Sequence, residues 1–153
     1  MIRVAFVCLG NICRSPMAEL IFKKMLKERG LSHAFEVTSC GTSSCEAGSP
    51  VYPPALKTLR LHGVEGEHTA RKVTREDISR CDYLLVMDEG NLRDLRSFAG
   101  DGGTGKIFML RSFTPRPSAV ADPWYTRDFE RAYADIEEGC GCFLDWVVSH
   151  HSL

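Results

Sequence analysis

The chain has 153 residues, 44% of them hydrophobic and 25% charged, with a formal net charge of −1. That length suits one domain spanning 1–153 around a single core, and the composition is that of a globular protein, not a disordered one. The near-neutral balance, without blocks of like charge, argues against nucleic-acid binding, and the mid-chain apolar run Tyr83 to Met87 falls far short of the ~20 residues that cross a bilayer.

In chain order, Ile2 to Val7 reads as a buried strand; with one early Arg3 and no small-residue cleavage site it does not resemble a secretion signal. The stretch "VCLGNICRSP" at 7–16 follows, holding two cysteines, a glycine and an arginine. Met17, Ile21 and Met25, with Ala18 and Phe22, then recur at helical spacing as far as Arg29, widened by Leu20 and Leu26. Ser15 should cap this helix, Pro16 should sit in its first turn and Gly30 should close it. A second strand is expected at Phe35–Cys40 and a helix over Val51–His62, ended by Gly63. The third strand is Tyr83–Met87, bounded by Asp82 and Asp88, with a short helix around Asn91–Phe98 after it. A Gly-rich turn at 100–105 leads to a fourth strand over Lys106–Leu110.

Residues 112–125, "SFTPRPSAVADPWY", carry three prolines and no period. A loop of that length in a compact domain is usually functional or disordered. From Thr126 onward, Phe129, Tyr133, Ile136, Cys140, Phe143 and Val147 mark a final amphipathic helix. Gly139 and Gly141 should weaken it by about 1 kcal/mol each. Four strands alternating with helices predict an α/β fold of three layers, a central four-stranded parallel sheet flanked by helices. Ligands bind such sheets at the carboxyl ends of the strands, and residues 8–15 lie at one.

The seven cysteines stand at 8, 13, 40, 45, 81, 140 and 142. An odd count with no secretion signal predicts reduced thiols and a cytoplasmic location. No C-x-x-C occurs, and the spacings form no zinc framework with the histidines, so neither metal nor cofactor is expected.

Cys8 to Arg14 makes chemical sense as a unit. Five residues between thiol and guanidinium let the chain curl, so that the amides of 9–14 (Leu9, Gly10, Asn11, Ile12, Cys13 and Arg14) form an anion-binding nest. The helix N-terminus adds its positive dipole at the same centre, and Arg14 supplies a planar fork for two oxygens of a tetrahedral oxyanion. Positive surroundings of this kind favour a thiolate over a thiol. A lone cysteine ending a strand is most often a small buried hydrophobe; strand, C-x5-R-[ST] and helix start together point instead to a nucleophile aimed at phosphorus.

"VCLGNICRSPMAE" resembles the signature loop of the low-molecular-weight protein tyrosine phosphatases, and "DPWY" at 122–125 resembles their acid loop. The resemblance continues through "SCGTSS" at 39–44, "HTARKVTREDI" at 68–78 and "DYLLVMDEGNLRDL" at 82–95, covering essentially the whole chain. It implies a phosphotyrosine-containing protein as substrate and a phosphocysteine on Cys8, with Arg14 and the loop amides holding phosphate. Asp122, the one carboxylate in its loop, would be general acid and then base, and Pro123 would bias it to an extended conformation. Ser15 matches the hydroxyl that hydrogen-bonds the sulfur, Asn11 the residue that holds the curl, and Ser39 and His68 its supporting partners. Asp88 corresponds to a position that contacts the active-site arginine, although it would also serve as a helix cap.

Leu9, Trp124 and Tyr125 match the walls of a slot deep enough to prefer phosphotyrosine to the shorter phosphoserine. Cys45 departs from the pattern, standing where the family commonly has Tyr or Trp. Cys13, five positions from Cys8, matches a second cysteine that traps the oxidised nucleophile as a disulfide. The chain is expected to act as a monomer, with at most weak self-association.

Four rivals remain. Arsenate reductases share the fold and loop but need two relay thiols, and here Cys81 precedes the third strand while Met87-Asp88 stand where a relay cysteine is wanted. Phosphoarginine phosphatases carry threonine where this chain has Ile12. "GDGGTGK" at 100–106 formally fits a nucleotide-binding loop, but Ile107 follows the lysine and "IFML" reads as strand, so it is a turn. A non-catalytic phosphotyrosine-binding module would need no combination of Cys8, Arg14 and Asp122.

Overall fold

The computed structural model describes residues 1–153. The N-terminal apolar run forms β1 (Ile2–Cys8), followed by β2 (Phe35–Gly41), β3 (Tyr83–Val86) and β4 (Ile107–Met109). They pair in the order β2-β1-β3-β4, every ladder parallel, with Val4 opposite both Val37 and Tyr83. Buried on both faces, β1 needs apolar side chains on both. Val4 and Phe6 face one layer, built on helices α1 (Arg14–Glu28), α2 (Pro53–Leu61) and α6 (Phe129–His150); Phe22 sits edge-on to Phe6 at 5.5 Å and 5.7 Å from Phe143. Ala5 and Val7 face the other layer, where α3 (Arg75–Arg80) and α4 (Glu89–Ala99) contribute Ile78, Leu95 and Ala99. The three-layer α/β expectation holds. No helix is long and apolar enough to cross a membrane.

Several local expectations are corrected. Helix α1 starts at Arg14 with Cys13 as its flanking residue and no side-chain cap, so Ser15 is not the cap; its hydroxyl is engaged elsewhere. Helix α2 starts at Pro53, two residues later than expected, with Pro53 and Pro54 in its first turn, and ends at Leu61 with His62 as its flanking residue. Helix α3 was not expected, being too short to show a period; Thr74 and Asp77 nucleate it with a reciprocal capping box. The stretch 112–125 is ordered: it leaves a single-turn helix at Leu110–Phe113 and ends in α5 (Pro123–Thr126).

Helix α6 begins at Phe129, three residues later than expected, where the Asp128 side chain accepts from the Arg131 amide at 2.9 Å. Its two glycines differ. A Cβ on Gly139 would lie 2.8 Å from Leu110 Cγ, so close packing requires glycine there, whereas Gly141 has nothing within 4 Å. The 100–106 segment is a turn, as expected, and Lys106 Nζ donates to the carbonyls of Ile78 at 2.9 Å and Ser79 at 3.2 Å.

Candidate active site

The loop between β1 and α1 curls at the carboxyl edge of the sheet. Thr42 and Ser43 amides donate to the carbonyls of Cys8 and Leu9, and the Tyr52 amide to that of Ile12, so the loop's carbonyls are turned outward and tied down. Outside the helices and strands, no hydrogen bond is donated by an amide of Leu9 through Ser15. Those donors are free to face the centre of the curl, as an anion nest requires.

Asn11 holds the curl at φ 60°, a left-handed conformation. Its amide is oriented by its neighbours: Nδ2 donates to Ser15 Oγ at 2.7 Å and Ser39 Oγ at 3.1 Å, and Oδ1 accepts from the Arg71 amide at 3.0 Å and lies 2.6 Å from His68 Nε2. Donor logic then runs outward in both directions. Because Ser15 Oγ accepts from Asn11, its own proton is left for Cys8 Sγ at 2.9 Å or, at the longer distance of 3.4 Å, for the Cys40 carbonyl. Ser39 Oγ likewise accepts from Asn11 and donates to Glu19 Oε1 at 2.6 Å. Burial pushes the Glu19 carboxyl up, but hydrogen bonds from His68, Lys23 and Ser39 outweigh that and hold it below its ordinary value. A buried carboxylate therefore anchors the far end of the chain of hydrogen bonds that reaches the sulfur.

Arg14 is 3% exposed and spans the cradle. Nη1 donates to Asp88 Oδ2 at 2.7 Å and to the Val120 carbonyl at 2.8 Å, while Nη2 lies 3.4 Å from Asp122 Oδ2. Asp88 does both things expected of it, since its Oδ1 also accepts from the Asn91 amide at 2.7 Å to cap α4. Asp122 is extended (φ −75°, ψ 113°), as Pro123 after it dictates, and its Oδ1 accepts from the Trp124 amide at 3.0 Å.

Cys8, Leu9, Gly10, Asn11, Ile12, Cys13, Arg14, Cys45, Asp122, Trp124 and Tyr125 line one cavity of about 220 Å³. Trp124 is propped from behind by Tyr52, ring centroids 4.9 Å apart. Burial, reinforced by the charges of Cys8 and Asp122, pushes the Cys13 thiol up to about 12. Ser15, Ser39 and His68 lie behind the cavity, in the network that supports it. No group of three or more His, Cys, Asp or Glu side chains is arranged to hold a metal ion.

Four further participants were not legible in the sequence: Glu19, the Arg71 amide, the Val120 carbonyl and Glu46, which also lines the cavity. Only Glu19 left a signal, an acidic residue set between Ala18 and Leu20 inside an otherwise buried helical stretch.

A parallel sheet that delivers a thiol into a nest of free amides, facing an arginine and a carboxylate, places the protein in a class: hydrolases of phosphate esters that use a cysteine on a three-layer α/β fold. The profile of the family described as "Low molecular weight phosphotyrosine protein phosphatase" matches residues 3–152. The phosphatase of that name from Pongo abelii is 41% identical over 147 residues, covering 93% of each chain. Among solved structures, YfkJ from Bacillus subtilis is 37% identical at a TM-score of 0.93, covering 100% of this chain and 98% of its own. A Drosophila arginine phosphatase is 34% identical at a TM-score of 0.88, covering 94% and 96%. The chain belongs to the low molecular weight phosphotyrosine protein phosphatase family.

Proposed function

We propose that this phosphatase hydrolyses phosphotyrosine in protein substrates, and aryl phosphates generally, through a phosphocysteine on Cys8. Sγ attacks phosphorus while Arg14 and the loop amides hold the equatorial oxygens, where transition-state charge lies. The P–O bond to the aryl group breaks, and the Asp122 carboxyl passes its proton to the departing phenolic oxygen. Water then attacks the phosphocysteine, Asp122 takes the water's proton, and the S–P bond breaks to free phosphate and the thiolate. Ser15, hydrogen-bonded to Sγ, stabilises sulfur as nucleophile and as leaving group. Leu9, Trp124 and Tyr125 wall the slot for the ring, with Cys45 contributing no aromatic face.

The observation that carries this reading is the network centred on Asn11, whose side-chain amide donates both to Ser39, itself donating to Glu19, and to Ser15, whose hydroxyl lies 2.9 Å from Cys8 Sγ. Such a network serves a negative sulfur and is wasted on a structural thiol. Asp122→Asn should lower kcat by about 10²–10⁴-fold for leaving groups that need protonation. We further propose that Cys13 is the redox partner of Cys8 and that the protein works as a monomer in the cytoplasm. Supporting that location, all seven cysteines are free, and five of them are buried.

The likeness to an arginine phosphatase keeps phosphoarginine as a second substrate reading, which Ile12 in the loop disfavours. Steady-state kinetics on matched phosphotyrosine, phosphoserine and phosphoarginine peptides decide it. Phosphotyrosine is expected to lead by at least about 10²-fold in kcat/KM; a lead for phosphoarginine would overturn the assignment.

A further inference from the structure

Arg127 ends α5 at φ 60°, ψ 14°, its amide donating to the Pro123 carbonyl at 2.9 Å. That is the left-handed C-terminal position at which helices favour glycine, and a bulky residue held there invites the question of what its side chain does. Although Arg127 is exposed, its side chain folds back over its neighbours. Nη2 donates to Tyr52 Oη at 3.1 Å, and the guanidinium carbon lies 5.4 Å from the ring centroids of both Tyr52 and Phe129. Nη1 also reaches the Trp124 carbonyl at 3.5 Å.

Tyr52 is itself fixed twice. Its amide donates to the Ile12 carbonyl at 2.8 Å, which ties it to the phosphate-binding loop, and its ring packs on Trp124 at 4.9 Å. The amide of Trp124 is the one that Asp122 Oδ1 accepts from. Arg127 and Tyr52 thus form a clasp with Asp122–Trp124 on one side and the nucleophile's loop on the other.

We propose that Arg127 is a positioning residue for the general acid. By clasping Tyr52 it holds the short 122–127 segment in register with the phosphate-binding loop, so that the Asp122 carboxyl sits where the leaving oxygen departs. It touches neither phosphate nor the reacting atoms. The proposal rests on Asp122 being the acid.

The test uses three variants of the whole enzyme. Arg127→Ala removes the clasp; Arg127→Gly also removes the left-handed strain; Tyr52→Phe keeps the ring stack and deletes only the hydroxyl. Each is assayed on phenyl phosphate, whose phenolate is a poor leaving group, and on para-nitrophenyl phosphate, whose leaving group needs less help. Misplacing a catalytic group by about 1 Å can cost on the order of 10²-fold. Arg127→Ala and Arg127→Gly should therefore lose about 10- to 100-fold in kcat/KM, which reports the leaving-group step and not the later hydrolysis of the phosphocysteine, on phenyl phosphate and markedly less on the nitrophenyl ester. Inhibition by inorganic phosphate should be unchanged, because the cradle is intact. Arg127→Gly should melt no lower than Arg127→Ala, which separates a lost contact from a lost fold. Tyr52→Phe should fall between parent and Arg127→Ala.

In an Asp122→Asn background the Arg127→Ala effect should vanish, since a residue acting through Asp122 has nothing left to position. Equal losses on both esters, or additive effects in the double variant, overturn the clasp while leaving Asp122 as acid. If Asp122→Asn alone shows no dependence on leaving group, the assignment of the acid fails, and the clasp with it.

Discussion

At Asn11 the backbone adopts a left-handed conformation that costs a non-glycine residue roughly 1–2 kcal/mol. The four contacts of its side-chain amide offset that cost and aim Ser15 at Cys8. The second cysteine of the loop is held out of the chemistry. Pushed up to about 12, Cys13 stays a protonated thiol at neutral pH and does not compete for phosphorus. Peroxide oxidising the Cys8 thiolate would give a sulfenic acid; attack by Cys13 sulfur then forms the disulfide and expels water, the Cys13 proton leaving with the hydroxyl. Cys13→Ser should retain phosphatase activity yet recover poorly when reductant follows a peroxide pulse. Recovery equal to the parent's would make Cys13 a packing residue. That Cys8, Arg14 and Asp122 would share one cavity was legible because the C-x5-R spacing and the DPWY stretch mark them locally. Glu19 and the Val120 carbonyl were not, since each reaches the site through contacts 20 or more positions away in sequence.

Among the elements, α6 shows how a residue type misleads without its surroundings. By propensity, Gly139 and Gly141 weaken the helix alike, but only Gly141 faces open space. Gly141→Ala should stabilise the protein by about 0.5–1 kcal/mol. Gly139→Ala should destabilise it by about 1–3 kcal/mol, because the new methyl must displace Leu110, which is fully buried. Chemical denaturation of the two variants measures both, and equal shifts of the same sign would contradict the packing argument. Strands β1 and β3 were readable from their apolar runs and α6 from its period. Helix α3 was not, because six residues held by one capping box show no amphipathic pattern. Ser15 was misplaced as a cap because a Ser-Pro pair before a periodic run is the ordinary start of a helix, whereas the contact with sulfur that the resemblance implied is the one the folded loop makes.

Over the whole molecule, two carboxylates, the buried Glu19 and the half-buried Asp77, are held below their ordinary values. Burial raises both, but His68, Lys23 and Ser39 outweigh it at Glu19, and Arg71 and Thr74 do so at Asp77. A depressed folded value means stability that is fully present above the unfolded value, about 4 for a carboxyl, and lost as pH falls through the folded value. Glu19→Gln should therefore lower stability at pH 7 by about 1–3 kcal/mol, and the difference from the parent should shrink as pH drops below about 4. A deficit that persists undiminished in acid would show that Glu19 contributes by packing alone. Because the same carboxylate anchors the hydrogen-bond network that reaches Cys8, the proposed nucleophile, the variant should lose turnover as well as stability. The hydrogen-bond network behind the cradle ends on a sulfur that should become phosphorylated during turnover, and rapid-quench mass spectrometry with a phosphotyrosine peptide reads this out. One phosphoryl group is expected on the peptide containing Cys8, absent in Cys8→Ser; an adduct on any other residue, or turnover retained by Cys8→Ser, would contradict that role for Cys8.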